Sequence, residues 1–337
     1  MRHVKVARAL AAIGFVSSAV CLSFTWPQAA QAQNFQTTAP TAILMDAGSH
    51  AVLFEKNADE LTAPASMAKT MTAEVVFNEI KNGRLNFDSE FMISENAWRK
   101  GGGGSGGSSM FAKVNTSVRL EDLIRGLVVQ SGNDAAIAIA EGIAGTEDNF
   151  ARMMNERAKQ IGLSQSTFRN ATGYGHPEQK VTVRDLAKLA LHIIETYPDL
   201  YKIFGEREFT WNKIRQQNRN PLLFMDIGAD GLKTGNIDES GFGLIGSAVQ
   251  NDQRLIVVVK ASRRPRIVPT SPASSWTGVS GPSRPSSSSP RGRSWARPRC
   301  SAGANGRCRL CPRSLFVYLC LVGRANGSPL ASSTPVR

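Results

Sequence analysis

The stretch APASMAKTMTAEVVFNEIKNG, residues 63–83, contains one residue out of place for the helix it encodes. Set out at about 100° per residue, Thr70, Glu74, Asn78 and Lys81 share a polar face, as an amphipathic helix requires. Lys69 falls instead in the stripe Ser66, Lys69, Ala73, Val76, Phe77 and Ile80, whose lower turns are apolar and face a core. An ammonium there is costly unless chemistry retains it. Ser66, three positions earlier, puts a hydroxyl about 5–6 Å away at Cβ. A lysine amine beside a serine hydroxyl is a nucleophile-and-base pair, and burial or a second cation lowers the amine pKa toward the neutral form it needs. Pro64 near the helix start leaves free N–H groups whose positive dipole would favour an oxyanion.

Outward from this helix the chain divides into strands at both ends and helices between. TAILMDAGSHAVLFEKN carries two alternating apolar runs around Ala47-Gly48-Ser49, a β-hairpin. FDSEFMIS is extended. KGGGGSGGSS has no Gly-Lys-Ser/Thr to make a phosphate cradle and is expected to be a flexible surface loop. VRLEDLIRGLVVQ and DAAIAIAEGIAG are helices joined by the tight turn Ser131-Gly132-Asn133. EDNFARMMNERAKQIG and VTVRDLAKLALHIIETYP are helices too, the second stopped by Pro198. ADGLKTG, FGLIGSAV and RLIVVVK are strands, the last two linked by a polar turn from Gln250 to Gln253. The order implies an α/β layered domain in which the terminal hairpins join one sheet.

Composition separates the body from its ends. The 337 residues are 42% hydrophobic, a globular proportion, and carry a net charge of +13. From Ala261 to Arg337 there are 13 Arg and no Lys, Asp or Glu, so the remaining residues hold 27 basic and 27 acidic side chains and are formally neutral. A nucleic-acid partner is therefore not indicated for the body. Residues 1–32 have Arg2, Lys5 and Arg8, then an apolar run, then Ala30-Gln31-Ala32. This is a secretory signal peptide cleaved after Ala32, with an apolar core too short to anchor in a membrane. Cys21 lies in that segment, and Cys300, Cys308, Cys311 and Cys320 lie in the tail without a matching C-x-x-C pair or nearby His. Residues 33–262, the expected domain, hold no cysteine, which excludes thiol chemistry there.

Two further triplets bear on Lys69. Taken singly, Asn133 of Ser131-Gly132-Asn133 is an ordinary helix N-cap and Lys233 of Lys233-Thr234-Gly235 a solvated lysine beside a turn. In the order S-x-x-K, S-G-N, K-T-G they match the motif set of class A β-lactamases and penicillin-binding proteins. Between about Ala42 and Lys260, through PASMAKTMT, GSSMF, VVQSGNDAAIAIAE, FTWNKIRQQNRN and DGLKTG, the chain resembles the low-molecular-mass penicillin-binding proteins that are serine-type D-alanyl-D-alanine carboxypeptidases, the DacA-like group of peptidase family S11. The resemblance implies an antiparallel sheet flanked by helices, with a helical subdomain and the active site between them. It implies that Ser66 is the acylated nucleophile, Lys69 its proton acceptor and Ser131 a proton relay. Asn133, Lys233, Thr234 and Gly235 would bind substrate, with Lys233 also helping to keep Lys69 neutral and Thr234 contacting the carboxylate. The backbone N–H groups of Ser66 and Asn236 would form the oxyanion hole. Peptidoglycan stem peptides are the implied substrates and β-lactams the covalent inhibitors, with no metal or cofactor. A periplasmic location follows; peripheral membrane association is compatible with the family, although no C-terminal anchor is recognisable.

Against a class A β-lactamase, the stretch SQSTFRNATGYG after the second motif offers no deacylating glutamate. His50, His176 and His192 lie in none of the motifs, which argues against a Ser-His-Asp triad. The tail, residues 263–337, is Arg-, Ser- and Pro-rich, with 10 of the 16 prolines. It is expected to be disordered or the product of a frameshift that replaces the family's C-terminal helix and β domain. Such a chain would lose stability, and a catalytically impaired binding protein is the alternative it raises. Arg263 and Arg266 are the available stand-ins for a carboxylate-binding arginine from that region.

Overall fold

In the computed structural model, the described residues are Thr37, 39–237 and 241–261. The leader, the tail and its arginines lie outside them. Five strands form one antiparallel sheet in the order β2-β1-β9-β8-β7, so the two terminal hairpins do meet. These are β1 (Thr41–Asp46), β2 (Val52–Lys56), β7 (Ala229–Ile237), β8 (Gly241–Gln250) and β9 (Gln253–Lys260). The first and last strands pair with Ile43 opposite Val258, burying both. β7 is an edge strand, paired to β8 with Lys233 opposite Ile245 and Gly235 opposite Gly243.

Between β2 and β7 run α1 (Lys69–Lys81), β3 (Glu90–Met92), α2 (Glu95–Gly101), β4 (Ser117–Arg119), α3 (Leu120–Val128), α4 (Asn133–Ala144), α5 (Glu147–Ile161), α6 (Val183–Thr196), α7 (Pro198–Tyr201) and the hairpin β5 (Glu208–Trp211) and β6 (Ile214–Gln217). α6 packs on β9 and β1, while α2, α3, α4 and α5 cluster beyond α1. This is the α/β layered fold with a helical subdomain expected from the sequence. Pro198 ends α6 and opens α7, where its missing N–H is no loss. Among the described residues no helix is long and apolar enough to cross a membrane.

Two expectations need correction. α1 is not an amphipathic surface helix: it touches α3, α4, α5, α6 and β7, and its assigned polar positions Thr70 and Glu74 are fully buried. Glu74 is accommodated by Arg157, whose Nη2 donates to Oε1 at 2.5 Å, and by the Tyr197 hydroxyl at 3.1 Å. The glycine run is exposed from Gly103 to Gly107, the surface loop expected, but it is not free at its ends. Its first residues close α2, and a Cβ at Gly101 would lie 2.2 Å from the Asp134 nitrogen, so backbone meets backbone there. Asp134 then pins the following segment, accepting from the Met110 and Ala112 N–H groups and from the Ser109 hydroxyl.

Candidate active site

The turn Ala65–Ala68 runs straight into α1, placing Ser66 one turn ahead of Lys69. β7 lies directly against this turn, for a Cβ at Gly235 would be 3.0 Å from the Pro64 carbonyl oxygen and 3.1 Å from the Ala65 Cβ. Ser66 and the K-T-G strand are thereby neighbours. From the other side Gly173, at φ +84°, presses its backbone on the turn: a Cβ there would be 1.9 Å from the Ala65 carbonyl oxygen. Ser131 adopts the left-handed conformation at φ 65° and Ala65 does so at φ 51°. Non-glycine residues are held there only by surrounding structure, and such strain gathers at functional sites. Asn133 opens α4 but does not cap it; its side chain reaches Lys69 instead.

Lys69 is 1% exposed, and its Nζ stands 2.6 Å from Asn133 Oδ1, 2.6 Å from the Thr172 carbonyl oxygen and 3.1 Å from Ser66 Oγ. Burial foremost, then the charge of Lys233, holds its pKa well below the ordinary lysine value. In its neutral form, with Asn133 and Thr172 accepting its two N–H bonds, the lone pair would face the Ser66 hydroxyl. Lys233 is buried as well; its Nζ donates to Ser131 Oγ at 2.8 Å and to the Thr234 carbonyl at 3.1 Å. Burial and then Arg219 pull its pKa down to about 7.

The cleft above these lysines has a volume of about 660 Å3. It is lined by Ser66, Ser131, Asn133, Thr234, Gly235 and Asn236, so all eight residues singled out from the sequence converge, six on the wall and the two lysines beneath it. Gly107, Thr172, Gly173, Tyr174, Arg219 and Phe242 also line it, and sequence reasoning assigned none of them a role. Arg219 gives its Nε–H to the Gln130 carbonyl at 2.9 Å. Burial lowers its pKa, and the residue sets a cation on the wall. Its place in FTWNKIRQQNRN was the one signal available. Among the described residues, none that lines the cleft is acidic and none is a histidine: His50 pairs with Glu195, and His192 sits 3.3 Å from Glu74.

Comparison with known proteins places the chain in a family. The family model described as D-alanyl-D-alanine carboxypeptidase, Peptidase_S11, matches residues 27–263. The D-alanyl-D-alanine carboxypeptidase DacC of Escherichia coli (strain K12) is 43% identical over 227 residues, 67% of this chain and 57% of the relative. DacA of Haemophilus influenzae is 42% identical over 254 residues, 73% of this chain and 64% of the relative. The chain thus spans about three-fifths of the length of these curated relatives. The crystal structure of penicillin binding protein 5 from Haemophilus influenzae superposes with a TM-score of 0.64 at 42% identity, covering 67% of this chain and 65% of that one. Penicillin-Binding Protein D2 from Listeria monocytogenes in its ampicillin-bound form gives 0.58 at 28% identity, covering 68% and 92%. With the matched region taking in every motif and the whole five-stranded sheet, this chain belongs to the D-alanyl-D-alanine carboxypeptidase family of serine peptidases, S11.

Proposed function

We propose that the protein is a serine D-alanyl-D-alanine carboxypeptidase that removes the terminal D-alanine from peptidoglycan stem pentapeptides. Neutral Lys69 takes the Ser66 proton as Oγ attacks the carbonyl carbon of the penultimate residue. The N–H groups of Ser66 and Asn236 receive the developing oxyanion, since preorganised donors act most strongly where charge forms. Ser131, bonded to Lys233, passes a proton to the departing amine, and the C–N bond breaks to release D-alanine. Water then cleaves the Ser66 ester and restores the hydroxyl.

The terminal carboxylate would rest against the Thr234 hydroxyl in the field of Lys233, with Arg219 as a second counter-ion. An extended peptide would run along the open edge of β7, with Asn133 and Gly235 alongside it. β-Lactams would acylate the same serine, and export to the periplasm is carried by the N-terminal sequence alone; peripheral membrane association remains part of the same reading. The single observation that supports this reading most is the position of Lys69, whose Nζ lies 3.1 Å from the Ser66 hydroxyl oxygen with Asn133 Oδ1 and the Thr172 carbonyl oxygen as its two other partners, each at 2.6 Å. The stretch SQSTFRNATGYG after the second motif, which offers no deacylating glutamate, favours it over a β-lactamase. Release of D-alanine from a pentapeptide, measured beside hydrolysis of benzylpenicillin, tests it. Rapid penicillin turnover without D-alanine release would overturn it.

A further inference from the structure

The two groups that take the hydrogens of Lys69 are controlled by one short loop. Thr172 contributes its carbonyl oxygen directly. Tyr174, two residues on, contributes indirectly: its hydroxyl accepts from Asn133 Nδ2 at 2.9 Å and donates to the Lys100 carbonyl at 2.6 Å. The chemistry of that chain fixes every orientation. The Tyr174 proton is committed to a carbonyl, so toward Asn133 the phenol oxygen can only accept. Asn133 must therefore turn its NH2 to Tyr174 and its oxygen to Lys69. Without the hydroxyl the amide is free to flip, and an N–H donor would then face the amine and draw its lone pair away from Ser66.

The loop is built rigidly enough to hold this. Asn170 Oδ1 accepts from the Gly173 N–H at 2.8 Å and the Thr172 hydroxyl at 3.0 Å, and the Tyr174 carbonyl accepts from Gln179 Nε2 at 2.9 Å. Across the cleft Gly107 leaves room for the pair, since a Cβ there would fall 2.7 Å from Asn133 Nδ2 and 3.3 Å from the Tyr174 hydroxyl. We propose that Tyr174 is a positioning residue that, through the Asn133 amide, sets the direction of the Lys69 lone pair. This rests on Lys69 being the base for Ser66.

The test is a double-mutant cycle on the full chain, read as the rate of acylation by a fluorescent penicillin at saturation. Wild type is measured first, so that failure to label Ser66 at all would count against the base assignment, not against Tyr174. Tyr174→Phe keeps the ring and is expected to slow acylation roughly tenfold, the effect of one positional hydrogen bond. In Asn133→Ala and Asn133→Ser backgrounds the same change is expected to have no further effect, because the group it acts through is gone. Running both backgrounds keeps the cycle complete if one variant misfolds, as checked by circular dichroism. Acylation of Tyr174→Phe at the wild-type rate, or a slowing that persists fully in the Asn133 variants, would overturn the proposal.

Discussion

Lys69 and Glu74 lie five residues apart on α1 and both are fully buried, yet burial decides the shift at one and hydrogen-bonded partners decide it at the other. The hydrogen-bond acceptors of Lys69 are neutral, so burial and then the charge of Lys233 hold its pKa well below the ordinary lysine value against the opposing charge of Asp134. Burial pushes the Glu74 carboxyl up, but contacts with His192 and Arg157 outweigh it and bring its pKa below the ordinary value. The same helix thus carries a reactive base at its start and a structural ion pair in its middle. For Lys69→Met we expect acylation by penicillin to fall by roughly 10²–10⁴-fold, the range for losing a positioned base. The melting temperature should stay within about 5 °C of wild type, because relief from burying an amine offsets its lost hydrogen bonds. Stopped-flow acylation and thermal melts read the two separately.

Glu74→Ala should do the reverse. It strips the counter-ion from Arg157, and breaking a buried pair typically costs about 3–5 kcal/mol. For a domain of this size that is a fall of roughly 10 °C in melting temperature. Protein that remains folded at 20 °C should acylate at close to the wild-type rate, because Glu74 touches nothing in the cleft.

Lys233→Gln removes the cation nearest to Lys69 in electrostatic effect. The sign follows from linkage: a positive neighbour disfavours the ammonium, so its removal raises the Lys69 pKa. Since the base works only when neutral, the acid limb of the acylation profile should move to higher pH. The rate on the plateau should also drop by roughly a hundredfold with the disrupted proton relay. An acid limb that stays in place would contradict the electrostatic role.

Gly173→Ala is expected to be severe for activity and to cost more stability than the left-handed backbone alone accounts for. The left-handed backbone costs an alanine roughly 1–2 kcal/mol. More important, the new methyl cannot share space with the Ala65 carbonyl 1.9 Å away, so the loop must shift and take the Thr172 carbonyl off Lys69. A misplacement of that size costs about a hundredfold in rate. Gly145→Ala is the control: Gly145 has φ +77° but nothing within 4 Å of the added methyl, so it should lose stability and keep its acylation rate.

Much of the site was legible because its chemistry is written in side chains at fixed spacing. Lys69 stood out as a charge in an apolar stripe, and the strands showed as β-branched runs between turns. The polar face assigned to α1 was misread because the groups that satisfy Glu74 are 83 and 123 residues away, invisible to a local pattern. Thr172 was missed because its contribution is a backbone carbonyl, which any residue type would offer. Tyr174 and Gly107 act through a hydroxyl and through a missing side chain at distances only the folded loops define. α2 was hidden by the glycine run that closes it.

The central claim is that Ser66 is the residue acylated. Incubating the folded protein with a labelled penicillin, followed by digestion and mass mapping, addresses it directly. The expected result is one adduct, on the peptide containing Ser66, and none in Lys69→Met over the same time. An adduct on Ser131 or elsewhere, or no adduct on protein whose circular dichroism shows it folded, would contradict the account.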